Sequence, residues 1–296
     1  MMKHIIISGF FLWIFMGVIA QQQPVWSQYM LNPYCVNPAI AGSSDDLMVA
    51  ASFKKLFAGV QKSPFNQYLT GQGKITEHMG IGASVFNRTT STTRRTGFTG
   101  TYAYHIFLNE NGQKLAFGLS GGISQYIIDL KNLEAFDPDD PLLQSDVNIM
   151  VPEVDFGAYY YSDVDNYYIG FAVRQLVQRR IYENSDKAAL VRHFYLNAGY
   201  NFEINRDWSV EPTAMLSMSH INKPMADISV IARYRELVWG GLMVRPINAV
   251  AILLGCNLQQ FSIGYSYDIG LTALGKESFG SHEILLFYRF KNFMMK

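Results

Sequence analysis

Three clusters in this 296-residue chain hold residue types that could carry chemistry. Gly118-Leu119-Ser120-Gly121-Gly122 fits the G-x-S-x-G spacing of a serine hydrolase. Ser281-His282-Glu283 sets a hydroxyl, an imidazole and a carboxylate side by side, and Asp137-Pro138-Asp139-Asp140-Pro141 gathers carboxylates of the kind calcium prefers. Each fails a geometric condition. A nucleophile elbow needs a sharp turn from strand into helix, whereas Ser120 lies in an alternating run with Leu115, Phe117 and Leu119 on one face. Neighbours in a strand point to opposite faces, so Ser281, His282 and Glu283 cannot form a hydrogen-bonded relay. His282 is instead expected to bond loop or neighbouring backbone groups at the start of the last strand. The acidic run lacks EF-hand spacing, and Asp and Pro are the usual residues of tight turns, which favours a structured loop over a calcium site. His78, His105, His193 and His220 lack the short spacing of a metal site. No catalytic residue, metal or cofactor is expected.

The elements that would position these residues read by twos, not by the 3.6 of a helix. Phe98, Gly100, Tyr102, Tyr104, Ile106 and Leu108 share one face, against Gly97, Thr99, Thr101, Ala103 and His105 on the other. Phe194, Leu196, Ala198, Tyr200 and Phe202 repeat the pattern, as do Phe261, Ile263, Tyr265 and Tyr267. The alternates of those last two runs are mostly polar, which points to a wet lumen. Counting such runs predicts fourteen strands, at 46–58, 66–74, 79–87, 95–108, 114–129, 151–162, 167–177, 192–203, 208–220, 226–234, 237–244, 248–258, 261–268 and 281–290. The even-numbered gaps between them are all brief, while the odd-numbered gaps include 59–65, 88–94, 130–150, 178–191 and 269–280. Short turns on one side and longer loops on the other are the signature of an outer-membrane β-barrel, and an even count lets both ends of the chain lie in the periplasm. The fold class is therefore all-β: a single antiparallel transmembrane barrel over 46–290, followed by a tail at 291–296. Tyr288 and Phe290 place two aromatics on the lipid face of the closing strand.

Composition agrees with a wall between lipid and lumen. Aromatic residues make up 14% of the chain, charged residues only 16%, glycine is abundant, and the mean hydropathy is near zero. Lys3 and His4 precede an apolar stretch from Ile5 to Ile19 that ends in Val18-Ile19-Ala20, the pattern of a Sec signal peptide over 1–20. That stretch is shorter than the roughly 20 residues a membrane-spanning helix needs. Without Lys3 the chain carries 23 basic and 24 acidic residues, so no electrostatic footprint for nucleic acid exists. Cys35 and Cys256 are far apart in sequence and are expected to stay unpaired. Residues 21–45 do not alternate; Trp26, Tyr29 and Tyr34 sit there around two Asn-Pro turns, as in a packed strap or lumen plug.

The motifs themselves resemble the PorP/SprF membrane proteins of the Bacteroidetes type IX secretion system. The resemblance begins at Gln28-Tyr29-Met30, Asn32-Pro33 and Asn37-Pro38-Ala39-Ile40-Ala41-Gly42-Ser43. It returns at Asp137-Pro138-Asp139-Asp140-Pro141, Arg192-His193-Phe194-Tyr195 and Ala198-Gly199-Tyr200, and ends at Ile263 to Asp268 and at Gly280-Ser281-His282-Glu283-Ile284. The sequence departs from the family at Lys54-Lys55-Leu56-Phe57, where an Arg and a Trp are expected, and Cys35 is not a family residue. The resemblance implies an outer-membrane component of type IX secretion that supports export or surface anchoring of adhesin-type cargo, or links the machinery to the outer membrane. Its implied partners are outer-membrane lipid, other type IX components and the C-terminal domain of a secreted adhesin. The orientation read from the gaps makes residues 21–45, as the alternative to a strap or plug, a periplasmic contact for other secretion components. Asn32, Pro33, Asn37, Pro38, Gly42, Asp137, Pro138, Asp140, Pro141, Gly280, Ser281, His282 and Glu283 become structural or partner-contact residues. A diffusion or uptake channel is the alternative that the barrel alone would allow.

Overall fold

A computed structural model describes residues 26–110, 112–129, 146–162, 164–179, 190–219 and 224–291. The strands are β1 Leu47–Lys55, β2 Phe65–Thr76, β3 Met79–Thr90, β4 Thr93–Phe107, β5 Gln113–Ile128, β6 Val147–Ser162, β7 Tyr167–Arg174, β8 His193–Tyr200, β9 Phe202–Glu203, β10 Trp208–Ser219, β11 Met225–Tyr234, β12 Val238–Arg245, β13 Ala249–Leu258, β14 Phe261–Gly270 and β15 Ser281–Phe290. β8 and β9 are one stave interrupted at Asn201, since both pair with β10. Every stave pairs antiparallel with its neighbours in sequence, and β1 closes on β15 from Leu47–Phe290 to Lys55–His282. The result is a closed fourteen-stranded up-and-down barrel without a free sheet edge at the closing seam, as lipid requires of any spanning sheet.

The period of two seen in the sequence maps onto the wall as expected. Phe98, Tyr102, Tyr104 and Ile106 are exposed on the outside, while Thr99, Thr101, Ala103 and His105 are buried within. At the short-turn end the outer surface carries aromatic pairs beside β3 and β4, β6 and β7, β8 and β9, β10 and β11, and β14 and β15. They include His78–Phe107 (5.0 Å between centroids), Tyr160–Tyr167 (5.7 Å), Tyr200–Phe202 (4.4 Å), Trp208–Tyr234 (4.9 Å) and Phe261–Tyr288 (4.7 Å). Such a girdle marks the level of the lipid headgroups, where an aromatic body and a polar tip are both satisfied.

Several expected boundaries move. The loop expected at 88–94 is a two-residue turn, Ser91-Thr92, because β3 and β4 stay paired to Thr90–Thr93. Apolar alternation stops there because the wall has become polar, not because the strands have ended. The first strand stops at Lys55 rather than 58, and Phe57 adopts a left-handed φ of 48°. β7 stops at Arg174 rather than 177, where Gln175 turns at φ 58°. β6 begins earlier than expected, at Val147.

Candidate functional site

Residues 26–42 lie inside the barrel and 43–45 lead out of it into β1, and their local structure follows from the two Asn-Pro pairs. Proline pre-sets the φ of a first helical position and has no N–H to leave unpaired, so Pro33 and Pro38 each open a 3-10 turn, Pro33–Cys35 and Pro38–Ile40. Asn37 caps the second: its Oδ1 accepts from Ala39 N at 2.9 Å. The same side chain reaches the wall, with Nδ2 donating to the carbonyl of Ala158 at 3.0 Å. Asn32 Nδ2 donates to Thr70 Oγ1 at 3.2 Å, and the Tyr34 hydroxyl bonds Thr101 Oγ1 at 2.7 Å, which in turn bonds Ser120 Oγ at 2.6 Å. Gly42 takes φ +77° and donates its N–H to Gln72 Oε1 at 2.7 Å.

Inward glycines let this backbone lie directly on the wall. A Cβ on Gly118 would stand 2.6 Å from Ala39 Cα, and one on Gly80 would stand 2.8 Å from Gly42 Cα. No side chain fits in those gaps. Elsewhere in the interior the segment meets apolar surface. Trp26, Tyr29 and Met30 pack with Tyr68, Phe86, Met215, Ile231, Trp239, Met243 and Leu253. Burying a side chain of this size stabilises by about 1.5–3 kcal/mol. The wet lumen expected from the polar alternates is therefore corrected: among the described residues the interior is packed by residues 26–42, and many of the polar alternates bond that segment or one another. The signal was present in Ala249 to Leu254, where both faces of β13 are apolar although only one can face lipid.

A buried ionic latch holds the first residues of the segment. Lys54 and Glu283 are each 1% exposed. Lys54 Nζ lies 2.7 Å from Asp268 Oδ2 and 3.2 Å from Glu283 Oε2, so β1, β14 and β15 meet at one cation across the closing seam. Ser27 N donates to Glu283 Oε2 at 2.8 Å, Gln28 N to Glu283 Oε1 at 3.2 Å, and Ser27 Oγ to Asp268 Oδ2 at 2.6 Å. Lys54, at the departure from the family pattern, thus supplies the positive charge that two buried carboxylates require. Further along, Arg174 pairs with Asp155 at 3.0 Å and donates to the carbonyl of Cys35 at 2.7 Å. His105 Nε2 bonds the carbonyl of Ala41 at 2.8 Å, and Lys74 pairs with Asp45 where the segment enters β1. Burial pushes the Cys35 thiol up to about 12, which leaves it protonated and inert. Cys35 and Cys256 are both free.

The remaining motif residues separate. Gly280 turns at φ +77°, and its carbonyl accepts from Ala58 N at 2.7 Å. Ser281 Oγ accepts from Phe57 N at 3.1 Å. His282 faces outward, where its Nδ1 bonds the Tyr265 hydroxyl at 2.7 Å rather than the loop or backbone groups expected. Glu283 faces inward, so the relay geometry is absent. Ser120 is buried in mid-β5. Asp137, Pro138, Asp139, Asp140 and Pro141 lie outside the described residues, as do 1–25 and 292–296.

The family model for the type IX secretion system membrane protein PorP/SprF matches residues 18–288. Comparison with curated proteins finds no match. Among solved structures, the Pseudomonas putida toluene transporter TodX is similar with a TM-score of 0.50 and 11% identity, over 92% of this chain and 95% of that one. The Ralstonia pickettii toluene transporter TbuX gives a TM-score of 0.50 and 9% identity, over 86% of this chain and 92% of that one. At such identities the likeness speaks for the fold, that of an outer-membrane barrel. Taken with the motif match along nearly the whole chain, the chain belongs to the PorP/SprF family of type IX secretion system membrane proteins.

Proposed function

We propose that this barrel is a sealed outer-membrane anchor for type IX secretion, which supports export or surface anchoring of adhesin-type cargo or links the machinery to the outer membrane. The observation that carries the reading is the packed interior. A segment fixed by an ionic latch at one end and by Gln72, His105 and Lys74 at the other leaves the ends and loops of the barrel, not its lumen, as the working surface. Export follows a Sec signal peptide cleaved after Ala20, and the short-turn end faces the periplasm. In that orientation Ala41 to Asp45 reach the periplasmic rim beside other type IX components. The acidic run Asp137 to Pro141, in the connection between β5 and β6, serves as a contact for the C-terminal domain of a secreted adhesin. The Asn-Pro and Gly280 to Glu283 motifs serve to seat the interior segment and close the seam.

The test is quantitative proteomics of secreted and surface fractions after deletion of the gene, against a complemented strain. Loss of one or a few large surface proteins supports a dedicated cargo partner, and loss of most type IX cargo supports a core component. An unchanged profile overturns the secretion reading. The diffusion-channel alternative requires steady conductance from the purified barrel, which a packed lumen argues against.

A further inference from the structure

The wall is uneven at its long-loop end. β6 runs nine residues, 147–155, beyond Phe156, the last of its residues paired with β7, and only the chain that follows β7 flanks that extension, with Leu176 N donating to the Val154 carbonyl at 2.8 Å and Arg179 Nη1 to that of Met150 at 2.7 Å. On this tall side the outward positions turn polar towards that end, at Gln67, Asn87, Arg94, Thr96, Gln125 and Asn148. They bond across strands: Asn87 Nδ2 donates to Gln67 Oε1 at 2.9 Å, Thr96 Oγ1 to Asn87 Oδ1 at 2.8 Å, and Gln125 Nε2 to Asn148 Oδ1 at 2.9 Å. Amides and a guanidinium are costly to place among acyl chains.

Half a turn around the barrel, over the shorter staves β12 to β15, the same end exposes a group of apolar side chains, with the charged Lys276 and Glu277 also exposed beside them. The outward series Phe261, Ile263, Tyr265, Tyr267 and Ile269 continues past the last residue of β14 to Leu271. Beyond it Leu274 is 50% exposed and Phe279 77%, and Ile247 in the neighbouring connection is 79% exposed. These residues are held in place. Leu271 N donates to the carbonyl of Asn248 at 2.9 Å and Phe279 N to that of Ala58 at 2.8 Å, while Thr272 Oγ1 caps the short helical turn by accepting from Gly275 N at 3.2 Å. The Phe279 ring lies over Gly59, which has no side chain to obstruct it. A fixed apolar surface of this kind, continuous with the lipid-facing band, is costly to leave in water.

We infer that Ile247, Leu271, Leu274 and Phe279, in the connections over β12 to β15, are immersed in the acyl layer of the leaflet at the long-loop end, while the β5–β6 side rises out of it, so that the barrel sits askew in the bilayer. Which leaflet is concerned follows from the orientation proposed above; contact with acyl chains does not depend on it. Spin labels test this on the full chain in a Cys256→Ser background, with the buried Cys35 left in place. Phe279→Cys, Leu274→Cys and Gln125→Cys are each labelled with a nitroxide, refolded into phosphatidylcholine vesicles and checked for barrel formation by heat-modifiable mobility. Dissolved oxygen, which partitions into acyl chains, should relax the labels at 274 and 279 more than a water-soluble nickel chelate does, with the order reversed at 125. Nickel dominating at 274 and 279 overturns the inference and leaves the patch facing water, free for a protein partner. Leu271→Cys gives the same reading if Phe279→Cys does not refold.

Discussion

Replacing Lys54 by methionine removes one charge and leaves two behind. The Lys54 ammonium lies 2.7 Å from Asp268 and 3.2 Å from Glu283, and Lys54 and Glu283 are almost wholly shielded from solvent. Methionine keeps the length of the side chain, so the volume of the site changes little while Asp268 and Glu283 are left facing each other uncompensated. Removing one partner of a buried ion pair typically costs about 3–5 kcal/mol, which at about 1.4 kcal/mol per decade is two to three and a half decades in the unfolding equilibrium. The backbone donors Ser27 N and Gln28 N on Glu283 remain, so the lower part of the range is expected. Urea unfolding of the purified barrel in micelles, followed by tryptophan emission and by heat-modifiable mobility, measures the cost. The triple variant K54M/D268N/E283Q, which carries no buried charge at the site, should recover most of the loss, because exchanging a whole buried ionic group for neutral partners is often close to neutral. A K54M cost below about 1 kcal/mol, smaller than the range for a broken buried pair, or a triple variant as unstable as the single one, would refute the latch.

Gly118→Val should drive the wall into Ala39 and lift residues 26–45 without disrupting the strands. The expected destabilisation is about 1–3 kcal/mol, with new protease cleavage inside 26–45 and, in planar bilayers, conductance where the parent barrel has none. Gly42→Ala places a Cβ 2.5 Å from Gly80 Cα at a left-handed φ; a loss of at least about 1–2 kcal/mol is expected, read from the urea midpoint. Leu254→Arg on the exposed lipid face should cost about 2–4 kcal/mol if it lies near the bilayer midplane, whereas Gln125→Arg should cost almost nothing in the same vesicles. The folded protein should take up at most one maleimide, at Cys256, and two in urea, since the Cys35 thiol is buried and shifted up to about 12.

Much of the barrel was legible because a membrane wall imposes a strict period, and fourteen runs by twos became fourteen staves. Ends were less legible. The wall at Arg88 to Arg94 is paired but polar, and hydrophobic alternation cannot distinguish a strand that leaves the lipid from a loop. The interior was the largest gap. Glu283 reads as the neighbour of His282, yet its partners are Lys54, Ser27 and Gln28, more than 220 residues away. No local pattern reports such a contact. The inward glycines look like ordinary strand glycines until the backbone of Ala39 and Gly42 is seen lying against them. What the sequence did offer was the apolar inner face of β13, a sign that something dry lies inside.

The latch also bears on how the chain assembles. Ser27 and Gln28 are held by a carboxylate from the final strand, and that strand pairs with the first, so the earliest and the latest parts of the chain complete each other's structure. Contacts of such long sequence separation form slowly. A chain cut short before Ser281 lacks both Glu283 and the partner of β1, and can neither seat its interior segment nor close its seam. Such an incomplete product keeps an open edge and an unseated segment that the closed barrel does not have.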